Sequence, residues 1–138
     1  NSLIANKKLL FIDDSIVRGT QLSGMMDALS SLGAKELHGR IGCPPILFNC
    51  KYLNFTRSSN ESENIARRSI LGLEGGEVSP ERLQEYTTFG SKCYKAMVED
   101  IRSRLNFTPL EYHPLDNMLE SVGIDKCNLC TYCWNGKE

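Results

Sequence analysis

Residues 9 to 21 read LLFIDDSIVRGTQ, and no other stretch limits the possible folds of this chain as strongly. Four consecutive apolar residues, Leu9 to Ile12, follow Lys7-Lys8 and stop at two adjacent carboxylates. A short apolar run without alternation, ending at a turn, reads as a buried strand of a parallel sheet. Helical spacing then takes over. Leu22, Met25, Met26, Leu29 and Leu32 share one face, and Gly33 offers a C-terminal stop. Residues 35 to 42 read as the next strand, with Leu37 and Ile41 inward, and Pro44-Pro45 close the unit. The expectation is a β–α–β unit, hence an α/β fold with a parallel sheet and flanking helices.

The loop between the first strand and its helix carries the chemistry. In an open parallel sheet, ligands bind beyond the carboxyl ends of the strands, where loops lead into helix N-termini. A helix starting at Gly19 or Thr20 presents unpaired N–H groups and a positive dipole end, both suited to a phosphate. Gly19 lets the backbone approach an anion closely. Ser15 and Thr20 add hydroxyl donors, and Arg18 adds charge. Asp13 and Asp14 repel a phosphate, so they must face another part of the ligand. Vicinal sugar hydroxyls, held directly or through Mg²⁺, suit two carboxylates. A ribose 5-phosphate group satisfies both halves of the motif. The plain alternative is a solvated strand end beside a helix cap, where Asp and Ser are common; the parallel-sheet context favours the ligand.

With 138 residues the chain is long enough for one compact domain. A net charge of −1 gives no basic field for nucleic acid. The longest apolar run is far too short for a bilayer, and no signal peptide is expected. A cytoplasmic protein with neither nucleic-acid nor membrane partners is expected. In that compartment six cysteines point to metal, cluster or buried thiols more than to disulfides. CNLCTYC, with Cys127, Cys130 and Cys133, contains two overlapping C-x-x-C pairs, a spacing that lets two thiolates reach one metal. Cys43 and Cys93 read as small buried hydrophobes. His38 and His113 read as surface or packing residues.

Further along, Asn60 and Glu63 resemble a capping box that opens a helix to about Ile70, and residues 71 to 77 look loop-like. Ser79-Pro80-Glu81 starts a short helix to about Tyr86. A longer helix covers residues 91 to 105, with Tyr94, Met97, Val98, Ile101 and Leu105 on one face. A short strand over residues 107 to 112 and a helix over 114 to 122, stopped by Gly123, complete the pattern. Residues 1–50 are expected to carry the ligand-binding β–α–β part, and 51–138 a mainly helical region with a cysteine-rich tail.

LLFIDDSIVRGTQ resembles the phosphoribosyl pyrophosphate (PRPP) signature of type I phosphoribosyltransferases, and DDSIVRGT is similar to the version in the amidophosphoribosyltransferase family. LGAKELHGRIGCPPI resembles the segment that follows in that family, and LCTYCWNGK its cysteine-pair tail. The resemblance implies a PRPP site made by Asp13, Asp14, Ser15, Ile16, Val17, Arg18, Gly19 and Thr20. Asp13 and Asp14 would be the catalytic pair, orienting the ribose and holding Mg²⁺ directly or through other groups. The implied reaction turns PRPP, glutamine and water into 5-phosphoribosylamine, glutamate and pyrophosphate, the first committed step of purine synthesis. Cluster-bearing members hold a structural [4Fe–4S] cluster; here its ligands would be Cys50, Cys130 and Cys133 with one upstream cysteine, and Cys127 could substitute for the latter.

The resemblance also implies that this chain is the last part of a longer enzyme, preceded by a glutaminase domain and the remaining transferase segment. Alone it is expected to be inactive, and to expose a sheet edge or face where it meets the missing part or itself, as a homo-oligomer. PRPP and purine nucleotides are the implied small-molecule partners. Gln21, Cys43 and Trp134-Asn135 depart from the more usual family residues and indicate a divergent branch. A second class of function stays open, a non-catalytic PRPP- or nucleotide-binding regulatory module. For the tail alone, a zinc-binding interaction module is the further alternative.

Overall fold

A computed structural model describes residues 3 to 53 and 60 to 137. Strand β1 (Lys8–Asp13), helix α1 (Thr20–Ser31) and strand β2 (Glu36–Ile41) form the expected unit. The strands pair in parallel, from Lys8 against Glu36 to Asp13 against Ile41. Strand β3 (Leu110–Tyr112) joins the far edge of β2, also in parallel, so the sheet order is β1-β2-β3. Between β2 and β3 lie α2 (Ile65–Glu74), α3 (Pro80–Thr87) and α4 (Lys92–Arg104); α5 (Leu115–Val122) and the short α6 (Tyr132–Asn135) follow. This is the α/β architecture with a parallel sheet and flanking helices that the sequence predicts.

The helix starts follow from local chemistry. The Ser79 hydroxyl accepts the N–H of Arg82 at 3.2 Å, and the Ser91 hydroxyl that of Tyr94 at 3.0 Å. Each such cap is worth about 1 kcal/mol. Asn60 accepts the N–H of Ser62 at 3.0 Å and opens a 3₁₀ turn over Glu61–Glu63, after which α2 begins. The core gathers Met26 of α1, Leu37 and Ile41 of β2, Ile70 of α2, and Met97 and Ile101 of α4, with Phe107 beneath the sheet. Burying one such side chain completely contributes roughly 1.5–3 kcal/mol. Among the described residues no helix is long and apolar enough to cross a membrane.

Two expectations are corrected. The run Leu9 to Ile12 does not make a strand buried on both faces. Leu9 and Phe11 pack on the core, whereas Leu10 is 62% and Ile12 72% exposed. The helices that build the core cover only the Leu9 and Phe11 face, so alternate side chains on β1 meet solvent. Helix α2 does not stop near Ile70 but runs to Glu74, where Gly75 caps it. Its last residue is held from outside: Arg82 reaches the Glu74 carboxylate at 2.7 Å and the Tyr86 hydroxyl donates to it at 2.5 Å. These contacts outweigh the roughly 1 kcal/mol that Gly72 costs inside a helix.

Candidate functional site

The loop after β1 is fastened on two sides. The N–H of Gly42 donates to the Asp13 carbonyl at 2.8 Å, fixing its start to the end of β2. On the other side, the N–H of Ile65 donates to the Val17 carbonyl at 2.8 Å, and the Arg68 guanidinium donates to the Arg18 carbonyl. Ile16, 4% exposed, anchors the middle of the loop in the core. Gly19 closes it at φ 73°, a left-handed conformation that an L side chain rarely adopts. A Cβ there would stand 2.8 Å from Ile65 Cδ1 and 2.9 Å from Leu105 Cδ2. Glycine is required for both reasons.

No side chain caps α1, and its first turn has no acidic residue. Its orphan N–H groups therefore open onto the site without a built-in counter-charge. A cavity of about 600 Å³ lies there, lined by Asp13, by Ser15 to Thr20, and by Phe11 and Met25 among others. Of the eight loop residues expected to bind PRPP, all but Asp14 line it. Asp14 is exposed, and its carboxylate accepts the Ser15 hydroxyl at 3.2 Å. One oxygen of Asp13 accepts the N–H of Asp14 at 2.9 Å. Each hydrogen bond occupies one carboxylate oxygen, and the other oxygen of each pair remains for a sugar hydroxyl or a cation. Arg18 pairs with Glu63, and its Nε is buried without a hydrogen-bond partner among the described residues.

A second cluster forms where the tail meets the loop after the double proline. The N–H groups of Leu47 and Phe48 donate to the Cys133 carbonyl at 3.0 and 3.1 Å. The Cys50 and Cys133 thiols, 83 positions apart in the sequence, lie within hydrogen-bonding reach of each other. The N–H groups of Tyr52 and Leu53 point at Cys50 Sγ, at 3.4 and 3.2 Å, and hold its pKa below the ordinary thiol value. Burial, and then the charge of Cys50, push Cys133 up to about 11. Cys50 is thus the readier thiolate of the pair. Cys130 acts on Cys133 through its charge. Cys127 is exposed and turned into a local Asp125 cap, its N–H donating to Asp125 Oδ1 at 3.1 Å. Among the described residues no three His, Cys, Asp or Glu side chains converge as a metal site. Of the three expected cluster ligands, Cys50 and Cys133 are within hydrogen-bonding reach of each other, and Cys130 acts on Cys133 through its charge.

Cys43 is buried, as expected, while Cys93 is only partly covered and donates to Glu85 at 3.4 Å. His38 pairs with Glu36 at 2.6 Å on the open sheet face, away from the loop. Sequence reasoning missed Arg68, which braces the loop from α2, and the Leu47-Phe48 link to the tail. The apolar pair just ahead of Cys50 was the available signal for the latter.

No family model matches the chain. Curated relatives do. Amidophosphoribosyltransferase of Glycine max, named as chloroplastic, is 33% identical over 137 residues, which is 99% of this chain and 19% of that protein. The amidophosphoribosyltransferase of Methanothermobacter thermautotrophicus is 30% identical over 135 residues, 98% of this chain and 22% of that protein. The human one is 29% identical over 139 residues and covers 95% of this chain. Among solved structures, the glutamine PRPP amidotransferase of B. subtilis complexed with ADP and GMP aligns with a TM-score of 0.65 at 25% identity, over 99% of this chain and 24% of that one. A structure described as the allosteric regulatory enzyme of purine biosynthesis shares the fold, with a TM-score of 0.64 at 24% identity. The chain spans about a fifth of the length of the curated relatives it matches. By sequence and by fold, it is homologous along nearly its whole length to a segment of the amidophosphoribosyltransferases.

Proposed function

We propose that this chain is the ribose-5-phosphate-binding, C-terminal part of an amidophosphoribosyltransferase, acting in the cytoplasm within a longer polypeptide. The observation that carries the reading is the cavity that puts Asp13 and the uncapped start of α1 on one wall. The phosphate sits on the N–H groups of residues 15 to 20 with the Ser15 and Thr20 hydroxyls. Asp13, with Asp14 beside it, accepts the ribose hydroxyls and orients the anomeric carbon for attack by ammonia. Both carboxylates keep an oxygen for Mg²⁺, which when bound neutralises the departing pyrophosphate. The exposed Leu10 and Ile12 face of β1 is where the remaining transferase segment or a second copy packs. All six cysteines are free, which suits a reducing compartment.

The thiols suit an iron–sulfur cluster in part: Cys50 and Cys133 supply two soft ligands and Cys130 a third, with the fourth outside this chain or taken by Cys127. The cluster would fasten the tail, since the displacement needs no electron transfer. In the intact protein, Cys130→Ser or Cys133→Ser is expected to remove the iron measured by elemental analysis, and Cys93→Ser to leave it. Unchanged iron in the first two variants rules out this ligand set.

The loop reading is tested with Asp13→Asn/Asp14→Asn in the intact protein. Ribose 5-phosphate should bind at least about tenfold more weakly, a cost near 1.4 kcal/mol, and turnover of PRPP should fall further. Unchanged PRPP kinetics would remove the proposed role of both residues. The 138-residue chain alone should neither hydrolyse glutamine nor make phosphoribosylamine; ammonia-dependent consumption of PRPP by it would contradict that expectation.

A further inference from the structure

Beyond the loop cavity lies a second one, of about 390 Å³, between the first turn of α1, the start of α2 and the end of α4. Its polar lining is three arginines, Arg18, Arg68 and Arg104, and two hydroxyl residues, Thr20 and Ser23; no carboxylate residue lines it. Three guanidinium groups around one space repel each other unless an anion or flanking acids compensate them. Flanking acids account for two of them. Arg18 pairs with Glu63, and Arg104 with Asp100 at 2.5 Å, one helical turn earlier. Arg68 has no carboxylate partner among the described residues. Among the described residues its guanidinium donates only to the Arg18 carbonyl, and its Nε, like that of Arg18, is buried without any hydrogen-bond partner.

The cavity is also built to keep Arg104 in place. The end of the Arg104 side chain lies across α2 at Gly72, where a Cβ would stand 3.1 Å from Arg104 Nη2. A glycine in the third turn of a helix carries a propensity cost of roughly 1 kcal/mol. Here its missing side chain is the room that the guanidinium occupies.

We propose that this arginine cavity is a second oxyanion site, of a size for a phosphate or diphosphate group, next to the phosphate loop and distinct from it. Arg68 and Arg104 supply charge, Ser23 supplies a hydroxyl donor, and forked guanidinium donors match phosphate oxygens in pairs. Arg18 lines both cavities, and its carbonyl is the acceptor for Arg68. An anion that recruits Arg68 therefore pulls on the same segment that holds the loop. Occupancy of the two sites is coupled through Arg18.

The site does not depend on the loop binding ribose 5-phosphate, and the test separates the two. Inorganic phosphate is titrated into the intact protein by calorimetry, first alone and then with inorganic pyrophosphate as competitor. The wild type should show two classes of phosphate site. Arg104→Gln, which leaves the Arg68 brace on the loop intact, should remove one class, or weaken it at least about tenfold, while ribose 5-phosphate affinity stays within about twofold. Gly72→Leu removes no charge but takes the room of Arg104, and should weaken the same class. If pyrophosphate displaces phosphate from that class more tightly than phosphate itself binds, the occupant is a diphosphate group; if not, it is a single phosphate. A single class of site in the wild type overturns the proposal. So do two classes that survive both variants. Should Arg104→Gln fail to fold by circular dichroism, an unchanged Gly72→Leu titration is sufficient to overturn it. Loss of ribose 5-phosphate binding in Asp13→Asn/Asp14→Asn with both phosphate classes intact bears on the loop reading alone.

Discussion

The phosphate loop and the cysteine tail are both irregular, yet they are held in opposite ways. The loop is fixed by the core: Ile16 is buried, Val17 and Arg18 are bonded to α2, and Asp13 is bonded to β2. The tail from Lys126 to Lys137 has no buried residue in either of its short helical turns. It is held by Cys133 on Leu47 and Phe48, by the Gln84 amide donating to the Asn135 carbonyl at 3.0 Å, and by a tilted Phe48–Tyr132 ring pair at 5.6 Å. A segment with so few buried groups gains little to offset its ordering entropy. The difference teaches where a cross-link is useful. A loop rooted in the core needs none, while a tail pinned only at Tyr132, Cys133 and Asn135 among the described residues gains most from a shared ligand between Cys50 and Cys133.

The comparison breaks first at Gly19. Gly19→Val puts a branched side chain at φ 73°, with Ile65 and Leu105 already closer than contact distance to its Cβ. Strain and overpacking together should cost roughly 3 kcal/mol of global stability, read as a shift of the urea midpoint with an unchanged slope. A variant as stable as the wild type would mean that the loop is not rooted in the core.

Alkali probes the same rooted half. Burial pushes Tyr94 on α4 up to about 12, and raises the fully covered Tyr112 of β3 as well. A raised folded-state pKa means that the stability is fully present below the ordinary tyrosine value near 10 and is lost as pH rises from there through about 12. Tyr94 alone should account for roughly 2 kcal/mol across that window. Melting curves at pH 9, 10 and 11 would show the loss beginning near the middle point. Tyr94→Phe should flatten the decline; an equally steep decline in that variant would deny Tyr94 the role.

How much of this was legible in the residues follows the same division. The β–α–β unit could be read because its signals are local: an apolar run, helical spacing from Leu22 to Leu32, and a stop at Gly33. The loop chemistry could be read because Asp13 to Thr20 are consecutive. The exposure of Leu10 and Ile12 could not, because an apolar run looks the same whether one face or two are covered. The extension of α2 to Glu74 was hidden for a related reason, since Arg82 and Tyr86 that hold it belong to another helix. The arginine cavity draws on α1, α2 and α4, and no sequence period connects Arg18, Arg68 and Arg104.

The smallest expected effect is on the tail, and it sharpens the comparison most. Phe48 is only partly buried, but its ring meets Tyr132 and lies 2.9 Å from where a Gly136 Cβ would stand. Its own N–H holds the Cys133 carbonyl, and that bond survives a side-chain change. Phe48→Ala should therefore cost only about 1 kcal/mol, the scale of one ring pair and a partly buried aromatic, and the cost should be local. Hydrogen exchange of residues 130 to 136 should quicken roughly fivefold, the equivalent of that free energy, while amides of α1 and β2 keep their wild-type rates. Restoring the link tests the argument from the other side. Because the Cys50 and Cys133 thiols lie within hydrogen-bonding reach, mild oxidation of Phe48→Ala should join them and return the tail amides toward slow exchange. Faster exchange spread evenly over the tail and the β–α–β unit would show that the two regions unfold as one, and the contrast between a rooted loop and a pinned tail would be wrong.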